Sequence, residues 1–208
     1  MLSMKDYIDL IIPRGGANLV HRVSREATMP AITGGIGVCH TYVDAEADLD
    51  MAASITYNAK VSRPYVCNAL DTILVHSSIA QAFLPTMANK MSEEAVELRC
   101  DSRSFSMLEQ MGFGSKIVPA TKEDWGTEFL SLTAAIKTVD SLDEAIEHIQ
   151  EYTSGHTEAI VTQNNSTAKR FLNEVDSGVV MVNSSTRFND GAQFGLGAEV
   201  GISTNKIH

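Results

Sequence analysis

Residues 38–60, VCHTYVDAEADLDMAASITYNAK, and residues 72–91, TILVHSSIAQAFLPTMANKM, each run from a short apolar stretch into a longer helical pattern. In the first, Val38 to Val43 predicts a strand. Asp48 then caps a helix over Leu49 to Lys60, because its carboxylate can accept from the free N–H groups of a first helical turn. In the second, Thr72 to His76 predicts a strand and Ser78 opens a helix ending near Met91. Strand, helix and strand in succession are the units of a parallel sheet, so the expected class is α/β with a mainly parallel sheet.

Working outward, Tyr7 to Ile12 (YIDLII) has strand composition and leads through Pro13-Arg14-Gly15-Gly16 into a helical pattern from Ala17 to Glu26. A glycine-rich bend follows, with Thr33, Gly34, Gly35 and Gly37. Downstream, strands are expected over Val96–Arg99, Glu158–Thr162 and Gly178–Val182, the last as a buried strand. Helices are expected over Ser104–Met111, Ser141–Tyr152 and Ser166–Val175, and Glu128–Val139 is an extended segment. Ser141 and Glu144 have capping-box spacing. From Asn183 to Ser203 the chain is rich in Ser, Asn and Gly and reads as a long ordered loop, a kind that is usually functional.

The 208 residues are enough for a substantial core without disulfide or metal staples. A net charge of -10 disfavours nucleic acid and anionic membrane surfaces, which need clustered Lys and Arg. Cys39, Cys67 and Cys100 form no CxxC pair, and the histidines, among them His40, His76, His148 and His156, have no ligand spacing. No metal site is expected, and a reducing cytoplasmic setting fits best. No stretch approaches membrane-spanning length. The start at Met1 reads as the end of a helix running straight into a strand, as in a fragment.

Several residues could carry chemistry, each beside a plainer reading. Cys67 lies in the loop RPYVCN, where Arg63 and exposed N–H groups could lower its thiol pKa; a small buried hydrophobe is the ordinary alternative. Cys39 and Cys100 read as structural. The Arg14-Gly15-Gly16 turn stands between strand and helix, where free N–H groups favour an anion, or is simply a tight turn. Glu128 could bond a sugar hydroxyl or be solvated. Arg187, in STRF, could clamp a carboxylate bidentately or form a surface ion pair.

Taken in order, DLIIPRGG, ITGGIGVCHTYVD, NAKVSRPYVCNALDTILVH, VDSLDEAIEHI, SGHTEAIVT, EVDSGVVMVNSSTRF and FGLGAEVGIST resemble the γ-glutamyl phosphate reductase family of the aldehyde dehydrogenase superfamily, in its C-terminal half. The resemblance covers nearly the whole chain and raises Cys67 to nucleophile. It implies an aldehyde dehydrogenase-like fold: a catalytic α/β domain plus a remnant of the Rossmann-like nucleotide-binding domain. The expected division is residues 1–64 for the nucleotide part, 65–183 for the catalytic domain, and 184–208 for a substrate loop returning toward the nucleotide and oligomerisation region.

The resemblance also implies roles. Asn68 would support the oxyanion beside Cys67. Arg14, Gly15, Gly16, Thr33, Gly34 and Glu128 would hold NADP(H), and Ser185, Thr186 and Arg187 would bind γ-glutamyl phosphate. Thr33, in AITGG, stands where hydrolytic relatives have a water-activating glutamate, which suits an acyl-enzyme that exchanges with phosphate. A homo-oligomer is implied at full length, with glutamate 5-kinase as a pathway partner. Two other readings stay open: another acylating aldehyde dehydrogenase, and a non-catalytic interaction fragment. Thiol labelling addresses the second, since a catalytic Cys67 should outreact Cys39 and Cys100.

Overall fold

The structure is a computed structural model that describes residues 1–34, 36–115 and 117–205. Gly35, in the glycine-rich bend, lies outside the described residues. Seven strands form one sheet: β1 (Cys39–Val43), β2 (Leu70–His76), β3 (Glu97–Cys100), β4 (Ile117–Pro119), β5 (Thr133–Val139), β6 (Thr157–Val161) and β7 (Val179–Val182). Their order is β4-β3-β5-β2-β1-β6-β7, and every pairing is parallel. Six helices accompany them: α1 (Ala17–Glu26), α2 (Leu49–Val61), α3 (Ser77–Glu93), α4 (Ser102–Gln110), α5 (Leu142–Tyr152) and α6 (Asn165–Glu174).

The two-residue period of a strand sorts side chains onto two faces. Val43, Ile73, Val75 and Ile136 join one core with Ala52 and Ala59 of α2, Phe83, Leu84 and Met87 of α3, and Leu108 of α4. Tyr42, Leu74 and Ile160 point the other way, to Ala145 and Ile149 of α5 and Phe171 of α6. Both faces of the central strands are therefore covered, as expected of a parallel sheet. Each fully buried Leu, Phe or Met of this kind contributes about 1.5–3 kcal/mol.

The caps follow the sequence. Asp48 Oδ1 accepts from Met51 N at 2.9 Å. Ser141 Oγ accepts from Glu144 N at 3.1 Å, while Glu144 Oε2 reaches back one residue further than a capping box requires, to Asp140 N at 2.7 Å.

Two expectations are corrected. Tyr7–Ile12 is not a strand: Ile11 makes a single bridge to Ala31, and Tyr7, Leu10 and Ile12 are exposed. Its apolar side chains have no neighbouring strand to cover them. β7 is half-buried rather than buried, because it lies at the sheet edge. The short β4 on the opposite edge had no apolar run to announce it. β1, which precedes residue 64, pairs with β2 and β6, which follow it.

Buried polar ties fasten the amino ends of the central strands. Asp71, 1% exposed on β2, accepts from Cys39 N at 3.3 Å and from Phe129 N at 3.1 Å, and its Oδ1 lies 3.6 Å from Lys60 Nζ. Burial pushes its pKa up to about 6, against the pull of Lys60 and of these two N–H groups. Glu158 Oε2, fully buried on β6, accepts from His40 N at 2.7 Å. The amino ends of β1, β2 and β6 and the loop before β5 are held to one another in this way.

Candidate active site

A cleft of about 820 Å³ opens at those amino ends. Gly37 precedes β1, Cys67 and Asn68 precede β2, Glu128 precedes β5 and His156 precedes β6. This is the opposite end from the usual ligand crevice of open α/β sheets, which lies beyond the strands' carboxyl ends. Cys67, Asn68, Arg14, Gly15, Gly16, Gly34, Glu128 and Arg187 line it; Thr33, Ser185 and Thr186 do not.

Cys67 is half-buried, whereas Cys39 and Cys100 are buried. Its backbone is pinned from below. Gly37 packs so closely that a Cβ there would stand 1.9 Å from the Cys67 carbonyl oxygen, and Cys39 Sγ donates to that oxygen at 3.3 Å. The expected lowering of its thiol pKa does not occur. Burial raises it, and the Glu128 and Glu199 carboxylates raise it further, against the opposing pull of its own N–H and of Arg14.

Asn68, expected to support an oxyanion, spends its amide on the chain after β7. Nδ2 donates to Asn189 O at 2.8 Å, Oδ1 accepts from Arg187 Nη1, and its carbonyl accepts from Thr186 Oγ1 at 2.7 Å. Ser185 Oγ accepts from Arg187 N at 3.3 Å, capping the short 3-10 turn Thr186–Phe188. Ser185 and Thr186 are buried and brace the turn that carries Arg187. The Arg187 Nε is itself buried without a hydrogen-bond partner. Burial lowers the guanidinium's pKa, and so does the nearby Arg63 charge.

On the other side, Glu128 Oε1 accepts from Gly37 N at 2.9 Å, so this carboxylate is oriented rather than solvated. Gly16 caps α1 with no side-chain bond, and no acidic residue occupies that helix's first turn. Gly15 has φ 151, and a Cβ on it would meet Leu19 Cδ2 at 2.8 Å. Thr33 turns away: its hydroxyl donates to Asn205 Oδ1 at 2.7 Å and its carbonyl accepts from Ser203 Oγ at 3.0 Å. It splices the bend to the chain's last described segment.

The sequence reading missed Glu199, Asp190 and His156 as cleft residues. Glu199 sits within FGLGAEVGIS, a block already singled out, and its Oε2 accepts from Gly191 N at 2.8 Å. Among the described residues no cluster of His, Cys, Asp or Glu could hold a metal ion, and no helix is long and apolar enough to cross a membrane.

Comparison with known proteins bears on what this cleft is. The Aldehyde dehydrogenase family profile matches residues 120–199. A γ-glutamyl phosphate reductase from Dehalococcoides mccartyi (strain CBDB1) is 58% identical over the whole chain, which covers 49% of that relative. The chain is similar to γ-glutamyl phosphate reductases from end to end. The crystal structure of γ-glutamyl phosphate reductase from Thermotoga maritima matches all of the chain and 49% of its own, at 46% identity and a TM-score of 0.95. An engineered glycolyl-CoA reductase with bound NADP+ shares the fold, with 18% identity and a TM-score of 0.65 over 94% of the chain and 50% of its own. The fold is aldehyde dehydrogenase-like. The chain spans about half the length of the curated relatives it matches.

Proposed function

We propose that this chain carries the nucleophile and the substrate side of an NADPH-dependent reductase that converts γ-glutamyl phosphate to glutamate-5-semialdehyde and phosphate in proline synthesis. The observation behind the reading is the exposure contrast among the thiols: only Cys67 opens into the cleft, with Arg187 and Glu128 on either side of it. Cys67 Sγ attacks the acyl carbon, the C–O bond to phosphate breaks, and a thioester remains on the sulfur. NADPH, when bound, supplies the hydride that reduces this thioester. Collapse of the thiohemiacetal then expels the Cys67 thiolate and frees the semialdehyde. The raised thiol pKa asks for a proton acceptor, and the Glu128 and Glu199 carboxylates, whose charges raise it, line the same cleft.

Arg187 takes the substrate's α-carboxylate, aimed by Asn68, Ser185 and Thr186. Arg14, Gly15, Gly16, Gly34 and Glu128 hold the cofactor. They fit it: the uncapped first turn of α1 faces the cleft with no acidic side chain competing for an anion such as a pyrophosphate. Because the sheet begins at Cys39, the nucleotide-facing part in this reading is the chain before it, and the catalytic part runs through β7. A cytoplasmic setting, a full-length homo-oligomer and a kinase supplying the acyl phosphate belong to the same reading.

The test is Cys67→Ser in the full-length protein, assayed as phosphate-dependent oxidation of the semialdehyde against a panel of other aldehydes. Loss of turnover with the fold kept by circular dichroism is expected, since a hydroxyl ionises far less readily than a thiol and is a far weaker nucleophile. Turnover near the parent rate would remove Cys67 from this role. Equal turnover of short aliphatic aldehydes by the parent would favour a different acylating dehydrogenase.

A further inference from the structure

At the amino end of β6, His156 is 1% exposed and lines the cleft, and its Nε2 has no hydrogen-bond partner. The other ring nitrogen, Nδ1, lies 2.8 Å from Thr157 Oγ1 and 3.9 Å from Cys39 Sγ. Asn189 Nδ2 donates to Thr157 Oγ1 at 2.7 Å. With the Thr157 hydroxyl in turn donating to Nδ1, the proton of the neutral imidazole sits on Nε2. Burial keeps the ring neutral, with a pKa of about 4. A buried donor without an acceptor is costly, so its retention at the wall of a cleft indicates a partner that arrives from outside.

Two more donors open into the same space. Arg187 has its Nε buried and unpartnered, and Arg63 lies close enough for its charge to depress the Arg187 pKa. Neither makes an ion pair within 4 Å among the described residues. Two guanidiniums lining one cleft favour an anion between them, against the pull of the Asp190 and Glu199 carboxylates that also face Arg187.

We propose that His156 Nε2–H, Arg63 and Arg187 together bind one oxyanion of the substrate, with His156 as the neutral donor that fixes its orientation. The inference rests on the reading of Cys67 as the nucleophile of this cleft. Carboxylate and phosphoryl oxygens share the acceptor chemistry required. Two guanidiniums alone would take any small anion; a directed N–H selects the planar or tetrahedral oxygen set that meets it.

The experiment follows alkylation of Cys67 by iodoacetamide in this chain by mass spectrometry, with buried Cys39 and Cys100 as internal references. Inorganic phosphate and L-glutamate are titrated separately as protectants, and the one that slows alkylation identifies the source of the oxyanion. His156→Phe keeps a ring but has no N–H, and is expected to raise the half-protecting concentration about tenfold or more. His156→Gln, whose amide can donate, should recover most of the loss. Arg63→Gln, at an exposed position, should also weaken protection about tenfold, and it decides the matter if His156→Phe fails to fold. Equal protection in the parent, His156→Phe and Arg63→Gln overturns the proposal, as does a parent that neither anion protects. Turnover retained by Cys67→Ser would instead remove the nucleophile reading and leave the anion measurement standing.

Discussion

Gly37→Ala is the smallest change that tests how Cys67 is held. The added Cβ would lie 1.9 Å from the Cys67 carbonyl oxygen, 2.7 Å from its carbonyl carbon and 2.9 Å from its Cα, all backbone atoms with no rotamer to escape into. Since real Cβ contacts essentially never fall below 3.0 Å, one of the two backbones must move by about 1.1 Å. Such a shift strains the Cys39 Sγ bond to Cys67 O and the Gly37 N bond to Glu128. Overpacking of this kind costs about 1–3 kcal/mol, which for a chain this long lowers Tm by roughly 2–12 °C. A displacement of about 1 Å at a reacting atom can cost on the order of 10²-fold in rate.

The control is Gly114→Ala, where the nearest atom is a flexible Glu109 side-chain carbon at 3.9 Å. Differential scanning calorimetry and the alkylation rate of Cys67 are measured on both variants. Gly37→Ala should lose stability and change the Cys67 rate, while Gly114→Ala changes neither appreciably. If both variants melt and alkylate like the parent, the claim that Gly37 seats the Cys67 backbone is wrong.

Arg187→Lys keeps the charge but loses the planar fork, so under the proposed reaction the full-length protein's KM for the semialdehyde should rise by the equivalent of about 1–3 kcal/mol; an unchanged KM counts against the proposed carboxylate contact. Thr186→Val leaves the buried Asn68 carbonyl unpaired and should cost about 1–3 kcal/mol in chemical denaturation, with a midpoint equal to the parent's counting against the tie. For pH, burial holds His148 at about 3 and His156 at about 4, below the ordinary 6.5, so the unfolded chain binds more protons in between. Their contribution is complete above pH 6.5 and is lost as pH falls toward 4, on the order of 2 kcal/mol per ring at pH 5. Asp71, raised to about 6, opposes them between pH 6 and 3.8. Tm should therefore fall between pH 7 and 5, and His148→Gln should flatten that fall; an equally steep fall in the variant refutes the assignment.

The sheet was legible because its central strands are covered on both faces and so carry short apolar runs, as in Ile73-Leu74-Val75 of β2. Edges were not: β4 is only IVP, and YIDLII has strand composition but finds no strand to pair with. At the site, a cysteine in a loop and an arginine after a strand could be singled out by type and place. Whether Thr186 faces a ligand or a carbonyl depends on Asn68, 118 positions away in sequence. The same distance hid the Cys67 pKa: Arg63 is its neighbour in the chain, but Glu128 and Glu199 are its neighbours in space.

The stretch carrying Arg187 is anchored at both ends. Asn183 Oδ1 accepts from Thr162 N at 2.9 Å and its Nδ2 donates to Thr162 O at 2.9 Å, at the carboxyl end of β6, while Asn189 is fixed to Asn68 and Thr157 at the amino ends. The short span between these anchors runs back along the length of a strand and includes the turn Thr186–Phe188. An inserted or deleted residue would throw the guanidinium out of register with the thiol. New substrate preferences in this scaffold should therefore arise by exchanging side chains on a bridge of fixed length, and libraries that vary its sequence should outperform those that vary its number of residues.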